Sequence, residues 1–195
     1  MVLVLAAACS SDPPVFTPAD LPRVVLQADD APAGTRMVAD ASGERDLDAF
    51  ARDGAERDGL EQDGFVLGYV VLFAPEAWFD PNVHVGSDAV SVQVVAGLFE
   101  APEGAASSLR RYLGDLRDRQ IESAEDLTVP DLGDEAYGLR GVAPADGSPL
   151  LVYLWRVRNL ILVVSGSGPV DESLLAVLGA TMSERALASG SRRAA

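Results

Sequence analysis

Apolar residues recur along this chain in two rhythms, one suited to strands and one to helices. Residues 65–73 (FVLGYVVLF) and 89–99 (AVSVQVVAGLF) are dense in β-branched and aromatic side chains and predict strands. Residues 150–157 and 160–165 predict a hairpin closed at Arg158-Asn159. In its first arm Trp155 alternates with Leu151, Tyr153 and Val157, while Leu150, Val152 and Leu154 take the other face. Both faces are apolar, so this strand should be central and covered on both sides. Shorter strands are expected at 24–27, 123–129 and 135–141. A period of 3.6 marks the helices. In 46–62, Leu47, Phe50, Ala51 and Gly54 share a face, with Asp48–Arg52 and Asp53–Arg57 as i,i+4 pairs in the favourable order. Gly54 and Gly59 weaken that helix by ~1 kcal/mol each against Ala. In 101–120 the shared face is Leu109, Tyr112, Leu113 and Leu116, and 171–187 opens with Asp171 and Glu172 at its positive end. Strands follow one another through short connections, so the expected class is α+β, a mostly antiparallel β-sheet covered by about three helices.

The N-terminus changes the picture from fold to address. An apolar run, residues 1–8, ends in Leu5-Ala6-Ala7-Ala8 before Cys9, and polar Ser10-Ser11-Asp12 follows. Small residues between an apolar run and a cysteine resemble a bacterial lipoprotein signal, in which the cysteine is lipidated and begins the mature chain. Two acyl chains, each contributing about 0.8 kcal/mol per buried CH₂, suffice for stable anchoring. Ala6 stands where such signals usually carry Leu, and the n-region holds no Lys or Arg, which suggests a start inside a longer signal. The competing reading is a first strand carrying a buried free thiol. The organisation expected is a signal over 1–8, a lipidated Cys9 with a Pro- and Ser-rich spacer over 9–19, one domain over 20–187, and a tail over 188–195.

Composition narrows the partners. The chain has 30 acidic against 15 basic residues, a formal charge of −15, and every basic residue is Arg. That balance argues against nucleic acid, whose phosphates need clustered cations, and against adhesion of the domain to anionic headgroups. No later stretch approaches the ~18 consecutive apolar residues of a membrane span. The expected membrane contact is the lipid anchor alone.

Further motifs carry a resemblance. Asp20-Leu21-Pro22, the 64–73 strand, Leu132-Gly133-Asp134-Glu135-Ala136 and the run from Arg158-Asn159 to Val164 are similar to segments of uncharacterised envelope lipoproteins of actinobacteria. They also resemble the extracytoplasmic sensor domains of mycobacterial receptor kinases and the PsbP-like fold. The resemblance covers most of the chain from Asp20 onward and implies an α+β extracytoplasmic domain. It brings no catalytic residues with it, because its motifs mark packing and turns.

Candidate chemistry is sparse. His84 is the only histidine and Cys9 the only cysteine, too few ligands for a His/Cys zinc site. No Gly-x-Ser-x-Gly elbow gives a nucleophile a setting. Gly166-Ser167-Gly168-Pro169 could offer N–H groups to a phosphate, but Asp171 and Glu172 follow at once, so an ordinary strand-to-helix turn is favoured. Carboxylates cluster at Asp29-Asp30, at Asp131/Asp134/Glu135 and, with Asn82, at Asp80, without the spacing of a calcium loop. No cofactor and no metal is expected. Trp155 reads as core, whereas Trp78 and Phe79, in a Pro-rich connection, are candidates for recognition. The leading expectation is a non-enzymatic exported lipoprotein whose domain binds an envelope protein or small ligand. An extracytoplasmic hydrolase with a site near His84, or a structural accessory of the envelope, are the alternatives.

Overall fold

The computed structural model describes residues 16–79 and 89–191. Eight strands form one sheet: β1 (Thr35–Met37), β2 (Gly43–Arg45), β3 (Phe65–Pro75), β4 (Ser91–Phe99), β5 (Glu122–Leu127), β6 (Glu135–Val142), β7 (Pro149–Val157) and β8 (Leu160–Ser167). Their order is β1-β3-β4-β8-β7-β6-β5, and every pairing is antiparallel. β2 shares the outer edge of β3 with β1, opposite residues 68–70 where β1 takes 73–75. Among the described residues five α-helices accompany the sheet: α1 (Leu21–Val24), α2 (Leu47–Phe50), α3 (Gly54–Gln62), α4 (Pro102–Asp115) and α5 (Glu172–Ser191). The class is α+β, as the apolar rhythm predicts.

The period-2 alternation of the central strands creates two cores. Val92, Val94, Ala96 and Leu98 of β4, with Leu160, Leu162 and Val164 of β8, face α1 and α5. Ile161 and Val163, with Val152 and Leu154 of β7, face Leu60 of α3 and Leu109 and Leu113 of α4. Each fully buried Val, Leu or Ile among them contributes roughly 1.5–3 kcal/mol. Trp155 is completely buried in the first core, which confirms the two-sided reading of β7.

Two of the short motifs turn out to be one clip. The Asp134 carboxylate accepts from the backbone N–H of Arg158 at 2.7 Å and from Arg156 Nη1 at 2.9 Å. Asp134 N–H donates to the Arg156 carbonyl at 2.8 Å, and a Cβ on Gly133 would lie 2.4 Å from that same oxygen. The clip steadies a strained hairpin, since Arg158 sits at φ 57°. From the next position, buried Asn159 ties a residue of the first core, Phe16, to one of the second, Phe99. Its amide donates to the carbonyls of Phe16 (3.2 Å) and Phe99 (2.7 Å), and its Oδ1 accepts from Phe16 N–H at 2.9 Å. Arg185 of α5 completes the closure with a bidentate pair to Asp30, at 2.7 and 2.9 Å. Burial raises the Asp30 pKa, but the Arg185 pair and the Gln27 N–H outweigh it and hold the carboxyl below its ordinary range.

Several expectations need correction. The strand expected at 24–27 is instead the end of α1 followed by extended backbone at Val25 and Gln27, outside any strand. Pro22 suits a first helical turn, and Thr17 donates from both its N–H and its hydroxyl to the Asp20 carboxylate. The helix expected over 46–62 is two helices, because it holds two N-caps: Asp46 accepts from Ala49 N–H, and Asp53 from Glu56 N–H. The helix expected over 101–120 ends at Asp115 and continues as a wider turn in which Ile121 N–H reaches the Leu116 carbonyl. α5 runs on to Ser191, past the expected end at 187. Strands β1 and β2 are additions, each only three residues long and polar at its exposed position.

Candidate functional site

The break between α2 and α3 shapes a cavity of about 430 Å³ on the second face of the sheet. Its floor is mostly apolar, with Val70 of β3, Val95 and Gly97 of β4, and Ile161 and Val163 of β8, and one polar side chain, Gln93 of β4. Val95 is only half-buried, whereas its neighbours Val94 and Ala96, pointing the other way, are fully buried. Helices therefore seal one face over β4 and leave the other partly uncovered. Gly68 keeps one wall in place, since a Cβ there would lie 2.1 Å from the Phe50 ring that rests on it. Phe50 in turn packs on Phe65 with ring centroids 4.7 Å apart.

Charge rings this apolar floor. Four arginines (Arg45, Arg52, Arg111 and Arg119) and two carboxylates (Glu56 and Asp115) line the cavity, the reverse of the chain's acidic balance. Arg52 donates to Glu56 at 2.7 and 2.8 Å and to Asp115 at 2.7 Å, linking α3 to the end of α4. Asp115 also accepts from Arg119 and Gln120, and Arg119 reaches Asp53 at 3.3 Å. Arg111 pairs with Asp63. Burial works against the charge on Arg52, yet the Glu56 hydrogen bonds and the field of Asp115 leave its pKa above the usual guanidinium range. Burial likewise pushes up the Tyr112 phenol, and the Arg52 guanidinium lies 5.3 Å from the centroid of its ring.

Arg45 differs from the other three. Its Nη1 donates to the Glu44 carbonyl at 2.9 Å and its Nη2 to the Ala41 carbonyl at 2.8 Å. It makes no ion pair with any of the described residues. Two backbone acceptors hold the guanidinium still, and three of its five N–H groups have no partner among the described residues.

The residues singled out from sequence fall elsewhere. Trp78 and Phe79 are 53 % and 37 % exposed, and neither lines the cavity. The Arg36 guanidinium sits 3.4 Å from the Phe79 ring centroid, so that ring is a platform for a cation of β1. Cys9, His84, Asp80 and Asn82 lie outside the described residues. Asp30, Asp134 and Glu135 are engaged by arginines, and no group of three or more potential metal ligands occurs among the described residues. Gly168, at φ 85°, makes the strand-to-helix turn, its N–H donating to Pro149. No helix among the described residues is long and apolar enough to cross a membrane. The cavity itself escaped sequence reading, and its only trace was the density of arginines around 45–57 and 110–119.

Comparison with known proteins places the fold. No family model and no curated protein matches the chain. The extracellular domain of PknH from Mycobacterium tuberculosis is similar in structure, with a TM-score of 0.57 over 89 % of this chain and 98 % of that one, at 8 % identity. That likeness is one of fold. The Rv0999 ortholog from Mycobacterium smegmatis aligns more loosely, at a TM-score of 0.40 and 12 % identity over 80 % of this chain and 92 % of that one.

Proposed function

We propose that this protein is a non-catalytic ligand-binding domain working outside the cytoplasm, tethered to the membrane by a lipid on Cys9. The uncovered apolar floor between α3 and α4 carries the binding half of this reading. A cleft of this volume lies within the range that encloses a small ligand, and an apolar floor with a few polar groups at its rim is the usual composition of such sites. The cavity's acids and most of its bases are consumed in mutual pairs, an arrangement that holds protons in place and so supports binding over catalysis. The address is supported by the residues around Cys9, and the likeness to an extracellular domain agrees with it.

Nile red, a neutral apolar dye, tests the binding half. It should bind saturably with a rise in fluorescence, and Ala55→Trp or Ala49→Trp, which place an indole at the cavity wall from exposed helical positions, should weaken it tenfold or more. Dye binding that both variants leave untouched would overturn the cavity as a ligand site. The anchor is tested separately in cells fed radiolabelled palmitate. The wild-type protein should take up label and partition into detergent, and Cys9→Ala should do neither. An alanine variant that labels and fractionates like wild type removes the lipid from the proposal.

A further inference from the structure

We infer that the cavity takes an amphiphile: an apolar body with one anionic head, carboxylate or phosphate monoester, received by Arg45. The inference rests on the cavity being a ligand site and adds the class of ligand. Three of the four lining arginines already have carboxylate partners, so their charge is answered within the protein. Arg45 has none among the described residues, in a chain with two acidic residues for every basic one. An arginine left without an acid, half-buried and fixed by the Ala41 and Glu44 carbonyls, is a preorganised anion receptor. Its planar fork suits carboxylate and phosphate oxygens better than an ammonium would.

The surroundings set the rest of the ligand. Arg45 stands on β2 opposite Gly68, so no side chain at that partner position separates it from Phe50 and the sheet. From there the lining runs over Val70, Val95 and Val163, which offer only methyl groups. Glu56 and Asp115 would disfavour an anion if they stood free, but both receive N–H bonds from Arg52. A second charge on the ligand would find no unanswered partner among the lining residues, which limits it to a single charged head.

Displacement of Nile red by twelve-carbon amphiphiles tests this on the wild-type protein and on Arg45→Gln. Dodecanoate or dodecyl phosphate should displace the dye at concentrations about tenfold below dodecanol and further below dodecyltrimethylammonium. Which of the two anions acts at the lower concentration distinguishes a carboxylate from a phosphate source. In Arg45→Gln the anion preference over dodecanol should collapse to within about twofold, each displacement being read against that variant's own Nile red affinity. Dodecanol or the ammonium compound displacing the wild-type dye as readily as both anions overturns the anionic head, without calling on the variant's fold. A preference that persists in Arg45→Gln removes Arg45 from the role. Failure of the dye to bind, or its indifference to both Ala55→Trp and Ala49→Trp, defeats the cavity reading itself and is a separate outcome.

Discussion

Asn159→Ala is expected to lower the folding stability by about 3–4 kcal/mol, because one buried amide serves three backbone groups at once. The truncation leaves the N–H and carbonyl of Phe16 and the carbonyl of Phe99 without their partner, at a position only 1 % exposed. Each stranded group carries a desolvation cost of roughly 1–3 kcal/mol, partly relieved where water can enter. Urea unfolding followed by tryptophan fluorescence should show a lower midpoint with an unchanged slope, the mark of lost stability without a change in the surface exposed. Asn159→Asp is expected to fare no better, since it keeps an acceptor for Phe16 N–H but loses both donors and buries a charge. A loss below ~1 kcal/mol for the alanine variant would mean that the segment at Phe16 can leave the core at little cost, and that Asn159 is no clamp.

Gly104→Ala should also destabilise, by about 2–3 kcal/mol, against the direction that helix propensity gives. Gly104 lies in the first turn of α4, where alanine in isolation gains up to ~1 kcal/mol over glycine. A Cβ there, however, would lie 1.9 Å from the carbonyl oxygen of Asp63, at the end of α3. That neighbour is backbone, tied in by the Glu100 N–H to Gly64 carbonyl bond at 2.8 Å, so it has little freedom to give way. α3 and α4 form two walls of the cavity, and forcing them apart should weaken Nile red binding along with stability. The sign decides the matter. A stabilised Gly104→Ala protein with undiminished dye affinity would show that α4 can slide on α3, and that the cavity walls are not fixed by this contact.

The fold was largely legible because its strands are long, and because the central ones are apolar on both faces. β3, β4, β7 and β8 could be read from composition alone, and the buried Trp155 followed from alternation within β7. The failures were local. Val24 and Val25 have strand propensity, yet Pro22 and Asp20 start a helical turn there, and packing against α5 decides the rest. The 46–62 segment has a genuine helical period, but a second aspartate in capping position cut it in two. β1 and β2 gave no signal because three residues cannot show an alternation. The candidate site was less accessible still. Trp78 and Phe79 stood out by size, whereas the cavity depends on what covers Val95, a tertiary fact absent from any local pattern. Arg45 looks like one arginine among fifteen until its neighbours are known.

The pairing of β4 with β8 has a consequence for how the chain acquires its shape. β3 with β4, and β5 through β8, are each built from strands adjacent in sequence and can form early from local encounters. The seam between β4 and β8 joins them only after a long loop containing α4 and three strands has closed, an entropic hurdle that local helices do not face. Phe16 meets Asn159 across 143 positions, so the N-terminal segment has no dock until the last hairpin exists. During synthesis the backbone at Phe16 therefore waits for these partners until the β7–β8 turn carrying Asn159 has been made. The rate-limiting event in reaching the native state should be the zipping of that central seam.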